Sequence, residues 1–338
     1  MERVTDRTGP ARIGDVARRA GVSPATVSRV LTGSARVTDA RRERVEHAIA
    51  ELGFRPSSLA RGLSLGRTGT LGVIAPFFTH WGTMTRLRGI TDSAAASDYD
   101  LMIFNVETPK QRADALLKFA RRDRVDGLLV LSVPLADDDV EQLRQEGLPV
   151  VVVDVDRPEL SRVTIDDVAG GRMATEHLLE RGHRRIGFVG DLPDSGLGFT
   201  VSELRQRGYR DALAAANAPG DPALVALGAY GRAAARSLAT EMLAGPGRPT
   251  AIFAASDMQA IGVLDAASEA GLRVPGDLAV VGFDDIEIAD VLGLTTVRQP
   301  LADVGAEAVR LLVAELDDGP RYPLHIVKPL TLIPRRTT

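Results

Sequence analysis

Residues 12–31, RIGDVARRAGVSPATVSRVL, constrain the fold of this chain more than any other segment. Two short runs with apolar residues at helical spacing flank the turn Gly21-Val22-Ser23. Ser23 is expected to cap the second run, and Pro24 to occupy its first helical position. Two short helices around a glycine turn predict a helix-turn-helix whose second helix is shaped to enter the DNA major groove.

The second helical run of this segment has a distinct outer face. Val27, Val30 and Leu31 form its apolar stripe and leave small and polar side chains facing outward. An ordinary helical hairpin within a larger core is the alternative interpretation. If the segment reads DNA, the residues expected to contact it are Ser23, Pro24, Ala25, Thr26, Ser28 and Arg29.

Charge is distributed unevenly along the chain. Residues 1–67 contain 13 arginines, no lysine and seven acidic residues, a formal charge of +6. The whole chain carries −4, so the other 271 residues carry −10. A basic head on an acidic body is typical of a nucleic-acid-binding module joined to a second domain.

Composition and motifs argue against several other classes of protein. The chain has no cysteine, so it has no disulfide, thiolate metal site or cysteine nucleophile, which fits a reducing cytosol. No apolar run approaches the length of about 18 residues that a membrane helix needs, and no signal region is present. There is no P-loop, no His-Glu-x-x-His and no histidine pair at ligand spacing. We expect a cytoplasmic, nucleoid-associated protein that is not an enzyme and needs no cofactor or metal.

The segment after the head is expected to act as a hinge. A third helix should follow the first two, with Thr38 as its N-cap and Gly53 at its end. Residues 54–70, FRPSSLARGLSLGRTGT, then hold a helical run too short to be stable alone. This predicts a helix that orders only on DNA and inserts Leu63 into the minor groove. A plain linker whose leucines pack on the body is the alternative.

The body alternates β-branched runs with amphipathic helical patterns. Such alternation predicts an α/β fold with parallel sheets covered by helices on both faces, which bind ligands at the carboxyl ends of their strands. Polar residues follow three of the apolar runs, at Asp154, Ser256-Asp257 and Asp284-Asp285. Each would ordinarily be a helix cap, but together they outline a polar pocket. The expected domains are a disordered tail (1–10), a helix-turn-helix headpiece (11–55), a hinge helix with linker (56–69) and a ligand-binding core (70–338).

The chain resembles the lactose/galactose-type repressor family of bacterial transcription regulators over residues 12 to about 335. The resemblance lies in IGDVARRAGVSPATVSRVL and RVTDARRERVEHAIAELGFRPSSLARGL in the head, and in LGVI, RVDGLLVL, HLLERGHRRIGFVGD, PTAIFAASDMQAIG, GLRVPGDLAVVGFDDIEIAD and LTTVRQP in the body. It implies an all-α headpiece of three helices, a hinge helix and a two-lobed core like that of the periplasmic sugar-binding proteins. It also implies three crossings between the lobes, near Val168, near 297–301 and near Ile326. The first lobe would then comprise about 70–168 and 300–325, and the second about 169–297 and 326–338.

The resemblance assigns roles in DNA binding by position. Pro24, Ala25 and Arg29 match the family's base-reading positions on the second helix. Leu63 matches its minor-groove lever. Ser57 stands where the hinge often begins with asparagine.

The resemblance also assigns roles in ligand binding. Arg205 matches an arginine that anchors the ligand, and Asp284 matches an aspartate that binds hydroxyls. The run APFFTHWGTM departs from the family pattern after the first core strand, so its Phe77, His80 and Trp81 are expected to reshape the wall of the first lobe. The remaining pocket positions are matched by Asp154, Tyr230 and Ser256.

These observations predict a ligand-controlled DNA-binding repressor of carbohydrate-uptake or catabolism genes. The resemblance implies a homodimer on a pseudo-palindromic operator and a sugar effector, held between Arg205 and Asp284 as opposed anchors and stacked on Trp81 or Tyr230. A nucleobase or nucleoside is the alternative effector, and corepression is the alternative to release of DNA. A sugar-binding receptor or sugar-metabolising α/β protein with an incidental helical head is the alternative class of function.

Overall fold

In a computed structural model, the chain divides into two units, residues 1–69 and 70–338. The expected tail, Ser57 and Leu63 lie outside the residues that the structure describes, and their roles stay predictions. The structure describes residues 11–31, 36–54, 67–119, 121–192, 197–245, 247–319 and 322–338.

The headpiece confirms the helix-turn-helix. Gly21 ends the first helix in the left-handed conformation, with φ 65°, and Ser23 Oγ accepts a hydrogen bond of 3.2 Å from the Thr26 N–H at the start of the second. Arg19 and Glu51 form a bidentate ion pair between the first and third helices. The three helices are α1 (Ile13–Ala20), α2 (Pro24–Leu31) and α3 (Asp39–Leu52). They enclose a small core of Val16, Ala17, Ala20, Val27, Val30, Val37, Val45 and Ala48.

The core contains two six-stranded sheets, each defining one lobe together with its helices. The first sheet has the order β11-β5-β4-β3-β1-β2, and its paired strands are all parallel. Its strands are β1 (Thr70–Pro76), β2 (Asp100–Val106), β3 (Gly127–Leu131), β4 (Val150–Val153), β5 (Ser161–Thr164) and β11 (His325–Val327).

The second sheet has the order β12-β10-β9-β8-β6-β7, and β12 is antiparallel to β10. Its strands are β6 (Ile186–Asp191), β7 (Val225–Gly228), β8 (Ala251–Ala254), β9 (Ala279–Asp284), β10 (Thr295–Arg298) and β12 (Thr331–Ile333). Central strands such as β4 and β8 are buried along their whole length, because helices cover both faces of each sheet.

The helices of the core alternate with its strands, as the sequence pattern predicted. Those of the first lobe are α4 (Trp81–Ala96), α5 (Pro109–Phe119), α6 (Asp137–Gln145) and α12 (Leu301–Asp318). Those of the second lobe are α7 (Asp167–Glu180), α8 (Val201–Ala215), α9 (Arg232–Ala244), α10 (Asp257–Glu269) and α11 (Glu287–Leu292), with a short 3-10 turn at Pro222–Leu224.

The chain passes between the two sheets three times. Two passages, at 165–166 and 299–300, lie near the expected positions. The third was expected near Ile326, but Ile326 lies in β11 and pairs with Val163 of the first sheet. This crossing therefore occurs later, at 328–330, because β11 extends the first sheet before the chain reaches β12.

Helices α7 and α8 approach so closely that no side chain fits between them at Gly208. A Cβ built on Gly208 would lie 2.0 Å from the carbonyl oxygen of Val168. We expect Gly208→Ala to lower the free energy of unfolding by about 1–3 kcal/mol, measured by chemical denaturation. The matched control is Gly220→Ala, because a Cβ there meets no atom within 4 Å. Equal stability of the Gly208→Ala variant and the parent protein would contradict this account of the packing.

Candidate functional site

A cavity of about 550 Å³ lies between the two lobes of the core. It is formed where strands of both sheets end, as expected for parallel sheets. Residues from β1, β6 and β9 and from the turns after β3, β4 and β8 reach it. Six of the seven predicted ligand-binding residues line it, namely Phe77, Asp154, Arg205, Tyr230, Ser256 and Asp284.

Trp81, the seventh predicted residue, does not line this cavity. It is the first residue of α4, and its neighbour His80, at the N-cap, forms the wall instead. The His80 ring stacks between two others, with centroids 4.7 Å from Phe77 and 4.4 Å from Tyr230. Burial lowers the pKa of His80, which keeps the ring neutral at neutral pH. One face of Tyr230 is therefore covered by a side chain of the opposite lobe.

Arg205 and Asp284 are not the opposed anchors that the resemblance suggested. Arg205 Nη1 lies only 3.7 Å from Asp284 Oδ1, so both groups are on the same wall. The guanidinium is also held by Asp167 Oδ1 at 2.8 Å and by the carbonyl oxygen of Ala255 at 2.6 Å, and it lies over the Phe283 ring. Arg205 is therefore buried and contacts the carboxylates of both Asp167 and Asp284.

The polar contacts continue from this wall into the first lobe. Asp284 Oδ1 accepts a hydrogen bond of 2.6 Å from Gln299 Nε2, and Gln299 Oε1 accepts one of 2.9 Å from Arg86 Nη2. Arg86 in turn pairs with Asp154 at 2.5 Å. We call the connected residues Asp154, Arg86, Gln299, Asp284, Arg205 and Asp167 the inter-lobe polar chain. Its central member, Gln299, lies at the second crossing between the lobes.

Burial dominates the electrostatics of the carboxylates in this chain. It raises the pKa of Asp167 to about 6, against the opposing effect of the Arg205 charge. It also raises the pKa of Asp284, again opposed by Arg205. The charge of Arg205 therefore favours the ionised form of both carboxyls.

Backbone strain is concentrated around the same cavity. Phe77, Ser132, Asp154 and Asp284 all have positive φ, at 44°, 50°, 53° and 117°. Such conformations cost about 1–3 kcal/mol each in residues other than glycine. All four residues follow or end a strand and line the cavity, so the strain lies where side chains are presented to a ligand.

Several lining residues were not predicted from the sequence, and Asp191 is the most informative of them. It ends β6, so the rule that marked Asp154 and Asp284 applies to it as well. Its Oδ1 accepts a hydrogen bond of 2.7 Å from Gln259 Nε2, and burial raises its pKa to about 6. Arg86 and Asp167 gave no comparable sequence signal, because they lie on helices.

Ser256 is both a helix cap and a residue of the cavity wall. Its Oγ caps α10 by accepting a 3.3 Å hydrogen bond from the Gln259 N–H, and the residue also lines the cavity. Asp257, next to it, is fully buried and accepts hydrogen bonds from the Ile286 N–H and the Thr296 hydroxyl. These two bonds fix the loop that carries Asp284.

The predicted DNA-contacting face of α2 is accessible in the headpiece. Ser23, Pro24, Ala25 and Arg29 are exposed, whereas Val27 and Val30 are buried. Thr26 and Ser28 are half-buried, and the Thr26 hydroxyl lies 3.0 Å from Ser23 Oγ.

The arrangement supplies several kinds of binding group. Carboxylates accept hydrogen bonds, guanidiniums donate them, and rings offer apolar faces, which together suit a small polar ligand. Within the described residues, no group of three or more potential ligands is placed to hold a metal ion. None of the helices described is long and apolar enough to cross a membrane.

Comparison with known proteins agrees with this architecture. Residues 12–57 match the family model for bacterial regulatory proteins of the lacI family, and residues 175–338 match a periplasmic binding protein-like domain. The chain is similar to catabolite control protein A of Priestia megaterium, with 34% identity over 89% of this chain and 91% of that protein. It is also similar to the ribose operon repressor of Escherichia coli K12, with 35% identity over 90% and 92%. A solved structure of the lac repressor dimer bound to operator and the anti-inducer ONPF matches with a TM-score of 0.87 and 27% identity, over 97% of this chain and 99% of that one.

A basic helix-turn-helix headpiece joined to a two-lobed binding core defines a ligand-controlled, sequence-specific DNA-binding transcription regulator. The chain belongs to the lacI family of bacterial regulatory proteins. This membership confirms the resemblance noted in the sequence and excludes the reading of the helical head as incidental.

The raised pKa of Asp191 predicts a stabilising substitution in this cavity. A carboxyl whose pKa is higher in the folded than in the unfolded protein loses stabilisation as the pH rises through the folded value, here about 6. Asp191→Asn cannot ionise, so it should raise the free energy of unfolding by about 1–3 kcal/mol at pH 8 and by much less near pH 4. Denaturant unfolding at the two pH values measures this difference. A gain that is the same at both, or absent at pH 8, would show that Asp191 is not an uncompensated charge.

Proposed function

We propose that a small sugar binds in the cavity between the lobes and thereby controls binding of the headpiece to an operator. One observation carries this proposal: the inter-lobe polar chain runs along the cavity and joins both lobes. A ligand that replaces or extends these contacts prefers one arrangement of the lobes, which is the physical requirement for a switch. The genes controlled would be those of carbohydrate uptake or catabolism.

A sugar fits the chemistry of the cavity walls. Sugar hydroxyls donate to carboxylates and accept from guanidiniums, and the apolar face of a sugar ring packs on aromatic rings. Asp154 and Asp284 supply carboxylates and Phe77 supplies an aromatic ring, all at the carboxyl ends of strands. The volume of about 550 Å³ lies in the range of small-ligand sites. The similarity to a ribose operon repressor supports the same class of effector.

The exposed face of α2 is the proposed reader of the operator. Arg29 would bond a guanine or a phosphate, and Pro24 and Ala25 would contact neighbouring base edges, with Ser23, Thr26 and Ser28 beside them. Ser57 and Leu63 would act in the hinge, as the resemblance implies. One headpiece spans only a few base pairs, so useful specificity requires two copies on a pseudo-palindrome.

A homodimer through the core is the proposed assembly. Helix α11 exposes three apolar side chains, with Ile288 at 37%, Val291 at 74% and Leu292 at 38% of their surface accessible. Apolar side chains grouped on one short helix suit burial against a second copy of the chain. Two copies joined in this way would hold two headpieces for two half-sites.

Release of DNA on ligand binding is the proposed direction of the switch. The first lobe follows the hinge directly in the chain, so a change between the lobes alters the chain segment that leads to the headpiece. Rearrangement of that segment would change how the two headpieces are spaced.

Arg29→Ala is expected to weaken operator binding by about 1–3 kcal/mol without changing ligand binding. The operator is first obtained by selection from random duplexes with the dimeric protein, and affinity is then measured by fluorescence anisotropy. Arg184→Ala is the matched control, because it removes the same charge from an exposed position of the core.

Two results would contradict the proposal. Unchanged operator affinity in the Arg29→Ala variant would show that α2 is not the reader. Selection of sites without two-fold symmetry, or equal affinity for one half-site, would exclude the proposed homodimer on DNA.

A further inference from the structure

The cavity between the lobes carries an excess of negative charge. Five carboxylates and two guanidiniums are found among its described lining residues, a formal charge of −3. His80 adds no charge at neutral pH, because burial lowers its pKa. The carboxylates are Asp154, Asp167, Asp191, Glu203 and Asp284, and the guanidiniums are Arg86 and Arg205.

Both guanidiniums already contact groups of the protein, although Arg86 Nε is buried without a hydrogen-bond partner in the described part of the chain. Arg86 pairs with Asp154 at 2.5 Å and donates to Gln299, while Arg205 donates to Asp167 at 2.8 Å and to the Ala255 carbonyl oxygen. An anionic ligand would therefore have to compete with buried carboxylates for its counter-charge.

Two carboxylates at the cavity retain capacity to accept a hydrogen bond from a ligand. Asp154 Oδ1 is buried and has no hydrogen-bond partner within the described part of the chain. Asp191 accepts from the neutral Gln259 amide, and none of the described cations lies within 4.0 Å of it. Asp154 belongs to the first lobe and Asp191 to the second, so each lobe offers the cavity a carboxylate that can accept from a ligand.

Helix N-termini at the cavity oppose this negative charge but do not cancel it. Helices α4, α7, α8 and α10 begin there, each with a partial positive charge of about 0.5. Their sum of about +2 is smaller than the formal charge of −3. Ser256 already uses one of the free N–H groups of α10, which further reduces what remains for an anion.

We propose that the effector is a hydroxylated ligand carrying a protonated amine, such as an amino sugar, rather than a neutral or phosphorylated sugar. This inference rests on the proposed function, because it specifies the ligand of the same cavity. The ammonium would donate to Asp191 or to Asp154, and its charge would offset the acidic excess. A phosphate group would meet the same carboxylates with like charge.

The test compares sugars in matched sets of three: glucose, glucosamine and glucose 6-phosphate, with the corresponding mannose and galactose sets. Dissociation constants are measured by calorimetry near neutral pH on the full chain without DNA. The amine should bind about tenfold more tightly than the neutral sugar in at least one set, and the phosphate most weakly. Asp191→Asn should remove most of this preference, and higher salt should reduce it.

The control variant is Glu241→Gln, which removes the same charge from the exposed surface of α9 and should leave the preference unchanged. The proposal is overturned if a neutral or phosphorylated sugar binds more tightly than its amine, if no amine binds, or if Asp191→Asn keeps the full preference. Because these titrations contain no DNA, the ranking can be read even if operator control fails. If a neutral sugar releases the operator, the proposal of an amine-bearing effector is wrong, but the proposed function stands.

Discussion

The inter-lobe polar chain is the interaction on which the arrangement of the core depends. It runs from Asp154 and Arg86 in the first lobe, through Gln299 at a crossing, to Asp284 and Arg205 in the second. Its charged members are buried, so each is stable only while its partners remain in place. Two lobes joined in this way cannot shift relative to each other without breaking at least one buried contact. The core is therefore expected to have discrete arrangements rather than a continuum.

Ligand control follows from the position of this chain along the cavity. A ligand that binds these carboxylates changes the balance between arrangements of the lobes by its difference in affinity for them. The strained backbone at Asp154 and Asp284 also indicates a ligand site, because proteins retain such strain where side chains must be held in place for a ligand. The acidic excess around Asp191 favours a ligand that carries a positive charge. Such a ligand could then provide the difference in affinity between the arrangements of the lobes.

Sequence patterns predicted the headpiece and the parallel sheets, and together with the family resemblance they named six of the described residues that line the cavity. Asp154 and Asp284 were found because the end of a buried strand is visible in one dimension, and Asp191 would have been found by applying the same rule throughout. Arg86 was not predictable, because the direction of a side chain from a helix into a cavity depends on tertiary packing. Trp81 was chosen for its ring, although helix α4 begins there and places the neighbouring ring in the wall. Short edge strands of three or four residues also carry too little pattern to be recognised.

Ligand binding in the cavity and operator binding by the headpiece are inferred to depend on one conformational equilibrium of the protein. This inference is tested most directly by measuring the affinity of the tightest-binding small molecule by calorimetry, on the free protein and on the protein saturated with operator. If the ligand releases DNA, operator should weaken its binding by about 5- to 150-fold, since coupling between two sites is reciprocal. An unrelated duplex of the same length, at equal salt, should leave the affinity unchanged. Equal affinities with and without operator would contradict the account, because the cavity would then bind a ligand without controlling the headpiece.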